Sequence, residues 1–205
     1  MKFLDFLKFD RTNKILSGLL NKDNEEMVKR MTVLQNEISV SFDTKVIAIT
    51  STNNDSLAAA FALGFANAYS KNGATVLIVD ANLYNPSLKG HIGSDIEVKE
   101  GKEEYQITKI DDKVDAICLN QEIYPSDVFK SGKIHSIIKD NEQYDHIIVL
   151  VPSIKEHKEV SLLSDIINTI LLIAQKNSTR KGNIYNAAVY FAQEKLPLAK
   201  LVILE

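Results

Sequence analysis

Three stretches decide the fold: Lys45–Thr50, KVIAIT; Ser51–Ala60, STNNDSLAAA; and Asn72–Asp80, NGATVLIVD. KVIAIT is short and apolar with little alternation, the pattern of a strand buried on both faces. Asp55 to Lys71 reads as a helix, and NGATVLIVD as a turn followed by a second buried strand. Strand, loop, helix and strand in this order make a βαβ unit with a helical crossover. A loop in this place that seats phosphate needs glycines, a lysine, and a serine or threonine. Here there is no glycine and no lysine, and alanine stands where the hydroxyl belongs.

The same alternation of strand and helix extends to both sides. Further strands are expected at Val114–Leu119, His146–Val151, Thr169–Ala174 and Leu201–Leu204. Further helices are expected at Glu25–Ser41, Ser126–Lys139, about Glu156–Ile167 and about Lys181–Glu194. Small residues in AAAFALGFANAY suit a helix packed closely on a sheet. The order predicts an α/β fold, doubly wound, with a mostly parallel sheet flanked by helices in three α/β/α layers. Residues 25–205 read as a single domain, preceded by a segment of residues 1–24.

The start of that segment, MKFLDFLKFD, has an amphipathic pattern if helical, with Phe3, Leu4, Phe6 and Leu7 on one face. Two readings stay open: packing on the protein's own core or a twin subunit, and weak membrane-surface contact through residues 1–10.

At 205 residues, 45% hydrophobic and 25% charged, the chain has the material for one sizeable core. A net charge of −3 gives no general attraction to nucleic acid, so none is expected as a partner. The single cysteine, Cys118, in the apolar run VDAICL, excludes an internal disulfide and reads as a core residue. No apolar stretch is long enough to span a bilayer, and charges interrupt the N-terminus, which predicts a cytoplasmic protein. The histidines are scattered, with no acidic cluster at metal-ligand spacing, so no metal is expected. His157 with Glu156 and Glu159 reads as a solvated helix face. The polar, basic stretch Lys176–Asn183 reads as a loop.

Three motifs carry a family likeness. Thr50-Ser51 lead into Asn54-Asp55-Ser56-Leu57-Ala58-Ala59-Ala60. Leu77-Ile78-Val79-Asp80-Ala81-Asn82-Leu83-Tyr84-Asn85-Pro86 follow, and then Tyr144-Asp145-His146-Ile147-Ile148-Val149-Leu150 with Ser153. In order and register these resemble the bacterial tyrosine kinases of capsule and exopolysaccharide synthesis, in the MinD/ParA-like branch of P-loop ATPases. The family patterns are T-S-x-x-P-G-E-G-K-S-T, L-L-I-D-x-D-x-R-x-P and Y-D-x-I-I-I-D-x-P-P. Weaker similarity covers Gly93–Gly101 and Tyr124–Phe129. The arginine-containing helix motif of the family is not recognisable in Lys29–Asn36.

The resemblance makes Ser51, Asp55, Ser56, Ala58 and Ala59 a vestigial nucleotide loop. It makes Asp80, Asn82 and Leu150 the remnants of the second and third motifs. Ala58 supplies no charge and Ala59 no metal ligand, while Asp55 puts a negative group where the polyanion would sit. Asp80 is left either as a base or as a strand-end residue receiving backbone hydrogen bonds. Asp55 or Ser56 is expected to cap the following helix, which would begin about a turn earlier than in an active relative and fill part of the site.

What the resemblance then implies is a catalytically inactive homologue, with no catalytic residue and no cofactor, acting by protein–protein interaction in capsular or exopolysaccharide synthesis. Its partners would be a membrane-anchored polysaccharide chain-length regulator, an active tyrosine kinase or a second copy of the chain, at the inner face of the cell membrane. The family uses the Glu25–Ser41 region in self-association, which makes Glu26, Arg30, Met31 and Leu34 a candidate interface. Their pattern equally fits a helix covering its own sheet. The alternatives are a weakly active tyrosine kinase or ATPase using ATP and Mg, and a MinD/ParA-type positioning protein.

Overall fold

The computed structural model describes residues 7–9, 21, 24–92, 98–102, 105–119 and 124–204. The strands are β1 (Leu7–Phe9), β2 (Val46–Ser51), β3 (Val76–Asp80), β4 (Val98–Lys102), β5 (Tyr105–Asp111), β6 (Val114–Cys118), β7 (His146–Leu150), β8 (Thr169–Gln175) and β9 (Leu198–Leu204). The helices are α1 (Glu25–Ser39), α2 (Asp55–Lys71), α3 (Leu88–Ile92), α4 (Pro125–Lys130), α5 (Lys133–Asp140) and α6 (Lys181–Gln193). The described strands form one sheet in the order β1-β9-β8-β2-β7-β3-β6-β5-β4. From β1 to β6 neighbours run parallel, and β5 and β4 complete one edge antiparallel.

Alternate residues of the central strands enter two cores, because side chains along a strand point to opposite faces. Ile47 and Ile49 of β2, Ile78 of β3 and Ile148 of β7 pack with Met31 and Leu34 of α1 and Phe61 and Phe65 of α2. Val46, Ala48, Val79 and Val149 pack with Phe129, Ile134, Ile137 and Phe191 from the helices of the other face. The expected three-layer α/β/α fold is therefore observed. On α2 the buried alanines admit close approach to the sheet, and Phe61 stacks on Phe65 at 5.6 Å. The buried Gln35 amide donates to Phe65 O at 3.0 Å and fastens α1 to α2.

Several expectations need correcting. The single helix Ser126–Lys139 is two, α4 and α5, broken at Gly132, whose φ of +73° is the left-handed region that glycine adopts without steric cost. The helix expected over Glu156–Ile167 is only a 3₁₀ turn at Glu159–Leu163. Strands β4 and β5 were not expected, since their charged residues hide an edge hairpin. Leu7–Phe9 pairs in parallel with Val202–Leu204 as an edge strand. For those three residues the amphipathic helix gives way to sheet, and the rest of residues 1–10 lies outside the described residues. Met31 and Leu34 are fully buried, so a partner meeting α1 would meet Glu26, Arg30 and half-exposed Val33 instead. Arg30 already pairs with Glu26 one turn away at 2.6 Å.

Candidate functional site

The loops after β2, β3, β7 and β8 meet at the carboxyl edge of the sheet, where open α/β folds place their crevices. The pairing brings them there. β7 lies between β2 and β3, with Ile49 opposite Leu150 and Leu150 opposite Asp80. Thr50 Oγ1 donates to Pro152 O at 2.7 Å, and Ile154 N–H to Ser51 O at 3.0 Å, fixing the β7 loop against the end of β2.

The loop Ser51–Asn54 bonds to itself and its neighbours. Ser51 Oγ donates to Asp55 Oδ1 at 2.8 Å and accepts from Asn54 N–H at 3.1 Å. Asn54 is the N-cap of α2, its Oδ1 accepting from Leu57 N–H at 3.0 Å. The cap is thus neither Asp55 nor Ser56, because Asn54 is the residue with extended backbone ahead of the first turn. Ser56 Oγ lies 3.1 Å from His91 Nε2. Asn54 Nδ2 donates to Gln175 Oε1 at 3.2 Å, and Thr179 Oγ1 to Asn53 Oδ1 at 2.8 Å. The stretch expected as a basic loop therefore clamps this loop through Thr179, and from Lys181 it continues as α6.

Behind the loop lies a space of only about 10 Å³, lined by Asp55, Ala58, Ala59, Asp80, Asn82 and Leu150 among others. That is about the minimum that holds one water. Ala58 and Ala59 are buried, and α2 begins at Asp55, three residues ahead of Ala58. Asp80 is 2% exposed and accepts from Asn82 N–H and Leu88 N–H, each at 3.1 Å. Burial pushes its carboxyl up to about 6, although the backbone donors pull the other way. Asn82 Oδ1 accepts from Asn85 N–H at 3.2 Å, and Asn85 Nδ2 reaches Asp55 Oδ2 at 3.4 Å. Structure thus brings the candidate residues of all three motifs together, as bonded partners around a nearly filled space.

In front of the loop a larger cleft opens, about 270 Å³, lined by Asn53–Ser56, Tyr84, Asn85, Ser153, Glu156 and His157. Tyr84 stacks on His157 with ring centroids 3.7 Å apart, and its hydroxyl donates to Glu159 Oε1 at 2.6 Å. That bond, with some burial, pushes the phenol up to about 12. His157 and Glu159 are therefore not a solvated helix face: one is covered by the Tyr84 ring and the other is bonded to its hydroxyl. Tyr84 lies four residues beyond Asp80 and His157 seven beyond Leu150, and those two residues are paired across β3 and β7. Sequence reading missed the cleft because that pairing has no local signal. Cys118 is half-buried at the end of β6, its thiol pushed up to about 11 mainly by burial. Among the described residues no three His, Cys, Asp or Glu side chains converge as metal ligands, and no helix is long and apolar enough to cross a membrane.

By sequence, neither a family model nor a curated protein matches the chain. By structure there are clear neighbours. The kinase domain of the Escherichia coli tyrosine kinase Etk superposes with a TM-score of 0.78 at 16% identity, over 98% of this chain and 89% of that one. The chimerical protein CapA2B2 gives 0.75 at 15% identity, over 98% and 94%. A ParA family ATPase from Chlorobium tepidum gives 0.58 at 15% identity, over 80% and 74%. The chain thus has the fold shared by bacterial tyrosine kinase domains and ParA-like ATPases.

Proposed function

We propose that this protein is a non-catalytic relative of the bacterial tyrosine kinases, acting through protein–protein contact in the assembly or regulation of surface polysaccharide. The observation that carries the reading is the filled cradle: about 10 Å³ between Asp55, Ala58, Ala59, Asp80, Asn82 and Leu150, with no lysine or arginine lining it among the described residues. A magnesium nucleotide does not fit these residues. Its phosphates need a cation and free backbone N–H groups, and its metal needs a hydroxyl and a carboxylate. Here the N–H groups of Asn54 and Leu57 are taken by Ser51 and Asn54 side chains, and the metal-ligand positions hold Ala59 and Leu150. Each lost charge-assisted bond is worth about 1.5–3 kcal/mol, so together they remove several powers of ten in affinity. On this reading the protein uses no cofactor. Its partner is a membrane-anchored chain-length regulator, an active tyrosine kinase or a second copy, met at the inner membrane face.

Calorimetric titration with Mg-ATP and Mg-ADP tests it. No heat of binding is expected at millimolar nucleotide, and micromolar binding would shift the reading to a working kinase or ATPase.

A further inference from the structure

The turn between α2 and β3 holds the pair Asn72-Gly73, and no other asparagine in the chain precedes a glycine. Asparagine is a thermolabile residue, because the backbone nitrogen that follows it can attack its side-chain amide. Glycine offers that nitrogen with least hindrance, since it carries no Cβ. Both residues are exposed, and Gly73 has a φ of +98°. Among the described residues only Lys113 Nζ approaches the side of Gly73 where a Cβ would lie, at 3.8 Å. The same ammonium donates to Gly73 O at 2.7 Å. A cation this close favours the anionic form of the nitrogen, which is the form that attacks.

The Asn72 side chain also ties two helices together. Its Nδ2 donates to Gln35 Oε1 at 3.3 Å and to Thr32 Oγ1 at 3.4 Å, both on α1. Gln35 is buried, and its own Nε2 is committed to Phe65 O of α2. The Gln35 carbonyl therefore depends on the Asn72 amide for a donor. Both bonds are long, so the tie is a weak one.

The folded backbone restrains the reaction without blocking the site. Asn72 is the C-cap of α2, its N–H shared between Ala68 O and Tyr69 O, and Gly73 N–H donates to Ser70 O at 2.9 Å. A ψ of 4° at Asn72 turns the Gly73 nitrogen away from the side chain. Attack waits for this last turn to fray, and helix ends open at low free energy.

We propose that Asn72 is a self-modification site: when the end of α2 frays, the chain converts this asparagine to aspartate or isoaspartate, and the product releases α1 from the turn. Gly73 N loses its proton to solvent and attacks Asn72 Cγ. The new N–C bond closes a succinimide as the Cγ–Nδ2 bond breaks, and Nδ2 takes a proton from water and leaves as ammonia. One further water opens the ring at either carbonyl. The reaction needs water alone. The product carboxylate accepts but cannot donate, so it meets Gln35 Oε1 acceptor against acceptor. It also sets a negative charge at the carboxyl end of a helix, where the dipole disfavours it. In the isoaspartate product the backbone of the turn is one methylene longer.

The test incubates the full chain at mildly alkaline pH and maps it by peptide mass spectrometry, beside the free peptide acetyl-Tyr-Ser-Lys-Asn-Gly-Ala-Thr-amide. The mass gain of amide-to-acid conversion is expected at Asn72 ahead of every other asparagine, and at least about tenfold slower than in the peptide. Thr32→Val keeps the shape, removes one acceptor and should raise the rate several-fold. Thr32 is only partly buried, so this variant is expected to fold. Asn72→Gln should abolish conversion at this position. The converted chain, separated by its added negative charge, should exchange the amides around Thr32 and Gln35 several-fold faster than the unconverted chain. Asn72→Asp should reproduce that change. No conversion at Asn72, conversion as fast as in the free peptide, an unchanged rate in Thr32→Val, or unchanged exchange in α1 would each overturn the proposal.

Discussion

Asp80 shows how one side chain changes meaning with its surroundings. It keeps the position of a motif aspartate, yet both carboxylate oxygens accept backbone N–H groups, from Asn82 and Leu88. Its burial has a pH signature with a definite sign. The carboxyl is raised from 3.8 to about 6 on folding, so between those values the folded chain holds the proton more tightly than the unfolded chain. The contribution to stability is full below about pH 4 and lost as pH rises through about 6. Urea unfolding of the native chain and of Asp80→Asn checks this. Relative to the variant, the native chain should lose up to about 3 kcal/mol between pH about 4 and pH about 7, and a flat difference would contradict the assignment.

At the scale of elements, the start of α2 satisfies its own first turn. The first turn of any helix leaves N–H groups without intrahelical partners, and a phosphate loop offers such groups to an anion. In this chain Asn54 takes the Leu57 N–H, while Ser51 takes the Asn54 N–H and also holds Asp55. Asn54→Ala should therefore cost about 1 kcal/mol in chemical unfolding, with the fold retained. A neutral result would mean that another group caps the helix. The neighbouring elements explain which helices were readable. α2 carries buried alanines and aromatics along its full length, whereas residues 156–167 are apolar enough to suggest a helix but settle as a 3₁₀ turn. There the turn is held by Lys158 O accepting from Ser161 N–H and Ser161 O from Ser164 N–H.

Across the whole molecule, the sheet has two edges with different protection. One ends in the antiparallel β5 and β4, and the other in the three-residue β1 laid on β9. Deleting residues 1–10 would leave the backbone groups of β9 unpaired along an apolar strand, LAKLVIL, a template for association. Sedimentation velocity should then show concentration-dependent self-association of the shortened chain beyond that of the full chain. Unchanged sedimentation would mean that β9 needs no cover. Strand burial is legible along the sequence because it depends on local composition. KVIAIT and TVLIVD announce two-sided burial, and STNNDSLAAA is seen to hold neither glycine nor lysine, without reference to anything distant. Contacts between loops are not local. That Tyr84 lies on His157, that Asp80 faces Leu150, and that about 10 Å³ remains behind the loop and about 270 Å³ in front all follow from β7 lying between β2 and β3. Residue types therefore revealed the architecture, while the order of strands chose which side chains meet, since spatial neighbours seventy or more residues apart leave no periodic trace in the chain.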